Sequence, residues 1–162
     1  RQMCIRDRLK GIPKTPDGKE PCDYNWRIDF GKLLTHVAEG KTIRKAILVG
    51  SRPPKNDSLW NSAKQQGFEV IVQNRNSQNK EKAVDTKLVA MGCKLIYTTE
   101  PAILKVLSGD SDFVPLIEAA NDASWDTEMW AFSTAFTPGS SLDCAKRIEV
   151  LDQHIANIEL RH

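Results

Sequence analysis

The sequence predicts one α/β domain in which a mainly parallel sheet is covered by helices on both faces. The chain has 162 residues, of which 40% are hydrophobic, and this is enough for one sizeable core without disulfides or structural metals. Short apolar runs alternate with amphipathic segments along the chain, and glycine or proline separates them. This alternation is typical of βαβ units, which build parallel sheets.

The N-terminal half contains the patterns that predict the arm, the first two helices and the first strand. Residues 1–25 have no hydrophobic period and contain several glycines and prolines, so they are predicted to be an irregular arm. A helical pattern begins at Trp26 and stops at Gly40, and Lys45–Gly50 is a short apolar run typical of a buried parallel strand. The next predicted helix is capped by Asn56 or Asp57 and ends at Gly67.

The remaining elements repeat the alternation. The predicted order is a strand at Phe68–Gln73, a helix from near Lys82, a strand at Leu104–Leu107, a helix at Phe113–Ala120 and a strand at Thr127–Phe132. After them come a turn at Thr137–Gly139, a short helix near Leu142, the segment Arg147–Leu151 and a C-terminal stretch without a clear helical pattern.

Charge is unevenly distributed along the chain, although the net charge is only +2. Residues 41–94 carry 11 basic and 4 acidic side chains, whereas residues 95–162 carry 4 and 11. A metal-dependent nucleic-acid enzyme needs cations for phosphates and carboxylates for a divalent metal, and this division would supply both. Uneven sampling of surface charge in a short chain is the alternative explanation.

Several classes of protein are disfavoured. The longest apolar runs are far shorter than the ~20 residues that cross a bilayer, so no membrane span is expected. The four cysteines have no zinc-ligand spacing and no secretory signal is visible, which favours reduced thiols in a cytoplasmic protein. The usual glycine-rich phosphate-binding signatures are also missing.

The strongest chemical signal follows the predicted strand at Leu104–Leu107. Ligands bind outside the carboxyl ends of strands in open α/β sheets, and Asp110 and Asp112 follow directly there, with Gly109 permitting a sharp turn. Two such carboxylates can share a divalent cation or its bound waters. Alternatively, Asp112 caps the next helix and Asp110 is a solvated turn residue.

Residues from other loops are expected at the same edge. Asp85 offers a third carboxylate at the start of a helix and has Lys82 nearby, although it could serve only as a favourable helix-dipole charge. The loops after the first two strands bring further cations and hydrogen-bond donors suited to a phosphate backbone, unless they are ordinary polar loops; the candidates are Ser51, Arg52, Asn74 and Arg75.

Four stretches together resemble the NYN-domain (LabA-like) branch of the PIN-like nucleases, over about Tyr24 to Leu151: Gly50–Trp60, Gly67–Val70, Asn79–Thr86 and Leu107–Leu116. The resemblance implies a three-layer α/β/α PIN-like fold that hydrolyses phosphodiester bonds, usually of RNA, with Mg²⁺ or Mn²⁺. It also implies that Asp85, Asp110 and Asp112 are the metal-binding and catalytic residues, and that Ser51 and Ser108 help to position a phosphate or a metal-bound water.

One part of the family pattern is not matched. Members of the family begin with a strand that ends in an Ile-Asp-x-x-Asn type motif, which has no counterpart before Tyr24, and Asp29 belongs instead to the helical pattern that follows. Residues 1–8 resemble translated sequencing-adapter sequence, so we expect a truncated gene product. Loss of a central strand would leave two half-sheets separated by a slot, through which copies of the chain could associate.

The sequence therefore predicts an irregular, non-family arm at 1–23, an NYN domain at 24–151 and a C-terminal tail at 152–162. The expected function is metal-dependent endoribonuclease activity in the parent protein. A non-catalytic RNA- or protein-binding regulator is the main alternative, and a small-phosphate hydrolase is less favoured.

Overall fold

A computed structural model describes residues 26–51, 58–73, 84–136 and 142–160, without the side chains of Ser51, Gln73 and Leu142. Its helices and strands are α1 (Phe30–Ala38), β1 (Ile47–Ser51), α2 (Ser58–Gln65), β2 (Glu69–Gln73), α3 (Val84–Thr98), β3 (Ile103–Val106), α4 (Val114–Asp122), β4 (Asp126–Ala131), β5 (Arg147–Val150) and α5 (Ile155–Ile158). Short 3₁₀ turns lie at Ser111–Phe113, Ser133–Ala135, Leu142–Cys144 and Leu151–His154.

The alternation of strands and helices predicted from the sequence is confirmed. The first helix begins at Phe30 rather than Trp26, and Asp29 is its N-cap, since its Oδ1 accepts a hydrogen bond from the Lys32 amide at 3.0 Å. The predicted short helix near Leu142 is a 3₁₀ turn. The predicted arm at 1–25, the caps at Asn56 or Asp57 and the turn at Thr137–Gly139 lie outside the described residues.

The described strands form two parallel sheets. β1 pairs with β2 in a register that runs from Ile47 opposite Glu69 to Ser51 opposite Gln73, and β4 lies between β3 and β5. This division into two sheets agrees with the two half-sheets expected from the sequence. Within the described ranges, no strand lies between β1 and β3 and pairs with both. Because each sheet is parallel, the carboxyl ends of its strands lie at one edge.

Helices cover both faces of the larger sheet. One core lies beneath α3 and α4 and includes Phe113, Ile117 and Met129, which are almost fully buried. The other lies beneath α1 and α5 and includes Val37, Trp130 and further side chains from both helices, namely Leu33, Ile155 and Ile158. The fold is therefore a three-layer α/β/α arrangement.

The residues after Leu151 are part of this second core. Ile155 and Ile158 are buried, and Glu159 forms an antiparallel bridge with Ile28. The Asp29 amide donates to the Ile158 carbonyl oxygen at 2.9 Å. The segment that the sequence analysis set apart as a tail thus fixes the start of α1.

A half-buried row of charges ties the end of α1 to the larger sheet. Lys105, Glu128 and Arg147 lie side by side on β3, β4 and β5. The Glu39 carboxylate accepts from Lys105 Nζ at 2.6 Å and from Arg147 Nη1 at 2.8 Å, and Lys105 Nζ also contacts Glu128 Oε2 at 2.7 Å. Trp130 Nε1 donates to Glu128 Oε2, so the row is satisfied by hydrogen bonds as well as by charge.

Candidate functional site

The carboxyl edge of the larger sheet carries three short segments, one after each strand. Ser108–Phe113 follows β3, Ser133–Ala135 follows β4, and Asp152 lies just after β5. The first of these segments contains both carboxylates that the sequence analysis placed at a strand end. Asp110 and Asp112 are therefore located at the edge where parallel α/β sheets bind their ligands.

Local hydrogen bonds define the conformation of the Ser108–Phe113 turn. Ser108 Oγ accepts from the Asp110 amide at 3.2 Å, and Asp110 Oδ1 accepts from the Asp112 amide at 3.1 Å. Asp110 is thus the N-cap of the 3₁₀ turn, a role that the sequence analysis had considered for Asp112. The Asp112 side chain is exposed in the first turn and is the more accessible of the two carboxylates.

Packing holds the same turn in place from both sides. Phe113 is 2% exposed and inserts into the core beneath α3 and α4. A Cβ atom at Gly109 would lie 2.8 Å from backbone atoms of Ala135 and Phe136, which are in the segment after β4. Glycine is required at 109 for this close approach, rather than only for a sharp bend.

Asp152 is a carboxylate at this edge that the sequence analysis did not single out. Its Oδ2 accepts from the Ser133 amide at 2.7 Å and its Oδ1 accepts from Ser133 Oγ at 2.9 Å. The signal that identified Asp110, an acidic residue directly after a strand, also applies to Asp152. Since both carboxylate oxygens bind Ser133, Asp152 fixes the segment after β4 against the end of β5.

Asp85 lies in the exposed first turn of α3. α3 packs against the Ser111–Phe113 turn and against α4, where a Cβ at Gly92 would lie 2.7 Å from Leu116 Cδ1. The helix that carries the third predicted carboxylate is therefore in contact with the turn that carries the other two. In the part of the chain described, however, no three His, Cys, Asp or Glu side chains are grouped closely enough to hold a metal ion.

The donor chemistry of the turn suits Mg²⁺ or Mn²⁺. These hard cations are commonly bound by one or two carboxylates, with water and substrate phosphate completing the coordination. Asp110 Oδ2 and the exposed Asp112 carboxylate are oxygen donors of this kind. The predicted phosphate-contacting residues Arg52, Asn74, Arg75 and Lys82, and the side chain of Ser51, lie outside the described structure.

Comparison with known proteins places the chain in a family. The sequence model of the NYN-domain family matches residues 14–152. The chain belongs to the NYN-domain family. This NYN domain is similar to the crystal structure of VPA0982, a protein of unknown function from Vibrio parahaemolyticus RIMD 2210633, with a TM-score of 0.64 and 19% identity over 85% of each chain. That likeness concerns the fold alone, and no curated protein matches the sequence.

Family membership identifies a nuclease-like domain of the PIN superfamily. NYN and PIN-like nucleases generally use divalent metals, and NYN domains generally bind RNA. Among the helices described, none is both long and apolar enough to cross a membrane.

Proposed function

We propose that this NYN domain is a divalent-metal-dependent endoribonuclease, in which Asp110 and Asp112 hold Mg²⁺ or Mn²⁺ and Asp85 completes the acidic site. The observation that carries the proposal is the Ser108–Phe113 turn. It presents two carboxylates at the carboxyl edge of the sheet, and it is held by a buried phenylalanine and by a glycine that no larger residue could replace without displacing backbone.

Each residue of the turn has a distinct task in this proposal. Asp110 uses Oδ1 to cap the turn and directs its remaining oxygen to the cation, while Asp112 contributes a solvent-facing carboxylate. Ser108 Oγ already accepts a hydrogen bond, so its own O–H proton can be donated to a phosphate oxygen. When bound, the metal lowers the pKa of a coordinated water and offsets charge on the phosphate.

The basic loops supply the substrate contacts in the same proposal. Arg52, Asn74, Arg75 and Lys82 would bind the phosphate backbone of the RNA, together with Ser51. Contacts of this kind position a strand without reading its sequence. We also propose a cytoplasmic location, where RNA is available.

Asp110→Asn provides the test of the metal role. Asparagine is as good an N-cap as aspartate, so this variant keeps the turn while removing a charged ligand. We expect Mg²⁺- or Mn²⁺-dependent cleavage of RNA to fall roughly 100-fold or more, with little change in the melting temperature. Asp122→Asn, an exposed substitution in the last turn of α4, is the matched control and should leave cleavage unchanged. Unchanged cleavage by Asp110→Asn would refute the assignment.

A non-catalytic RNA- or protein-binding regulator is the second candidate. It is favoured by one observation: the described residues contain no grouping of three potential metal-binding side chains. Salt-dependent RNA binding, without cleavage in either metal, would support this candidate and contradict the nuclease proposal. Release of phosphate from a model monoester, with RNA left intact, would contradict both.

A further inference from the structure

A cavity lies apart from the Ser108–Phe113 turn, none of whose residues line it. It has a volume of about 390 Å³ and is located between α3 and the β1–β2 sheet. Ile47 and Glu69, at the starts of β1 and β2, line it together with Thr98 at the end of α3. From there the lining extends along α3 to Lys87, and it does not include Asp85, Asp110 or Asp112.

The interior of the cavity is aliphatic. Ile47 and Ile71 contribute from the sheet, and Met91 and Leu95 contribute from α3; all four are only partly buried. The lining residues described contain no aromatic ring that could stack on a nucleobase. The lining from Lys87 to Thr98 extends about 16 Å along α3, at about 1.5 Å per residue. The shape and lining therefore suit an elongated apolar group better than a nucleotide.

The rim of the cavity is positively charged. Lys45 Nζ contacts Glu69 Oε2 at 2.6 Å, so these two charges offset each other. Lys87 and Lys94 are seven residues apart and lie two turns apart on one side of α3. Both are exposed, and among the described residues neither ammonium group takes part in an ion pair or hydrogen bond; the contact of Lys94 with Thr98 uses its backbone carbonyl oxygen. An occupant that carries an anion would find two lysines available.

We propose that this cavity binds an amphipathic anion with an unbranched alkyl chain and a single carboxylate, such as a medium-chain fatty acid. The alkyl chain lies against Ile47, Ile71, Met91 and Leu95, and the carboxylate pairs with Lys87 or Lys94. The cavity volume falls within the roughly 300–1,000 Å³ of small-molecule sites. This proposal is independent of the nuclease proposal, because the two sites share no residue.

Methyl NMR with a series of alkyl carboxylates tests the apolar half of the proposal. Acetate, hexanoate, octanoate and decanoate are titrated below their micellar concentrations into the chain labelled at Ile, Leu and Met methyl groups. We expect chemical-shift changes confined to the methyl signals of Ile47, Ile71, Met91 and Leu95. The affinity for the carboxylate should rise about two- to fourfold for each methylene added to its chain. Affinity that does not depend on chain length, or shifts located elsewhere, would overturn the proposal.

Charge reversal tests the polar half. The double substitution of Lys87→Glu with Lys94→Glu should weaken octanoate binding about three- to tenfold, because it replaces an attraction with a repulsion at whichever exposed lysine pairs with the carboxylate. Lys64→Glu, an exposed substitution on α2, is the matched control and should have no effect. Octanol should bind more weakly than octanoate to the unmodified chain. Equal affinity of octanoate for the two variants, or equal affinity of octanol and octanoate, would rule out the proposed site.

Discussion

Glu39 offers a direct test of how the end of α1 is attached to the sheet. Its carboxylate contacts Lys105 Nζ at 2.6 Å and Arg147 Nη2 at 2.8 Å. Hydrogen bonds from Arg147 and Lys105 lower the pKa of Glu39 from its ordinary 4.5 to about 2. Replacing it in Glu39→Gln keeps the size and shape of the side chain but removes the charge that these two cations face.

The magnitude follows from the change in pKa. A fall from 4.5 to about 2 corresponds to roughly 3 kcal/mol, since each pKa unit is worth about 1.4 kcal/mol. The side chain is 28% exposed, so screening by water reduces the contribution to roughly 1–2 kcal/mol. Because the folded-state pKa is the lower one, this stabilisation is complete above the unfolded-state pKa near 4.5 and is lost as the pH falls from there through about 2.

Urea denaturation at a series of pH values is the assay. We expect Glu39→Gln to lower the free energy of unfolding by roughly 1–2 kcal/mol at pH 7 and by progressively less below pH 4.5. Glu118→Gln, at an exposed site on α4, is the control for the loss of a carboxylate alone. Equal losses of stability by the two variants at pH 7, or a deficit of Glu39→Gln that is the same at every pH, would contradict this role of the Glu39 charge.

Three further substitutions test the packing at the carboxyl ends of the strands. Gly109→Ala would force a methyl group against the backbone after β4. We expect it to lower the free energy of unfolding, measured by urea denaturation, by roughly 1–3 kcal/mol. A loss smaller than about 0.5 kcal/mol would contradict the close approach of Gly109 to Ala135 and Phe136. Asp152→Ala should cost about 1–2 kcal/mol and increase proteolytic cleavage near Ser133, and unchanged cleavage would show that Asp152 does not hold this segment. Gly50→Ala would overlap the buried Trp60 ring, so it should destabilise the fold by roughly 1–3 kcal/mol and change the tryptophan fluorescence.

The sequence is most informative where a local pattern decides the structure. Parallel strands are often continuous apolar runs, and this pattern predicts β1 and β2 to within two residues of their observed bounds. The prediction that they are buried is wrong for the described side chains, since those of Ile47–Val49 and Val70–Val72 are only partly buried. Gly40 and Gly67, which end the first two helices in the sequence analysis, both have positive φ angles of 75° and 98°. These positions depend on a few neighbouring residues, so a single sequence is enough to find them.

Long-range contacts are the part that could not be predicted. The role of α5 in the second core depends on Ile155 and Ile158 meeting Val37 and Trp130, which are distant in the chain. The pairing of Glu39 with Arg147 spans 108 residues and leaves no local pattern in either segment. The hydrogen bonds from Ser133 to Asp152 could not be predicted for the same reason, although the sequence shows that Asp152 follows a predicted strand.

The contacts at the carboxyl edge also indicate which residues affect RNA binding and which affect cleavage. Asp152 holds Ser133, and the segment after Ser133 presses on Gly109 beside Asp110. The positions of Asp110 and Asp112 are thus set within the β3–β4–β5 sheet. Four of the predicted phosphate contacts, Ser51, Arg52, Asn74 and Arg75, lie at the end of β1 or follow β1 and β2, which belong to the other sheet. Under the nuclease proposal, substitutions in the β1 and β2 loops should therefore change RNA affinity, whereas substitutions at Asp110 should change turnover, because the two sets of residues are positioned by different sheets.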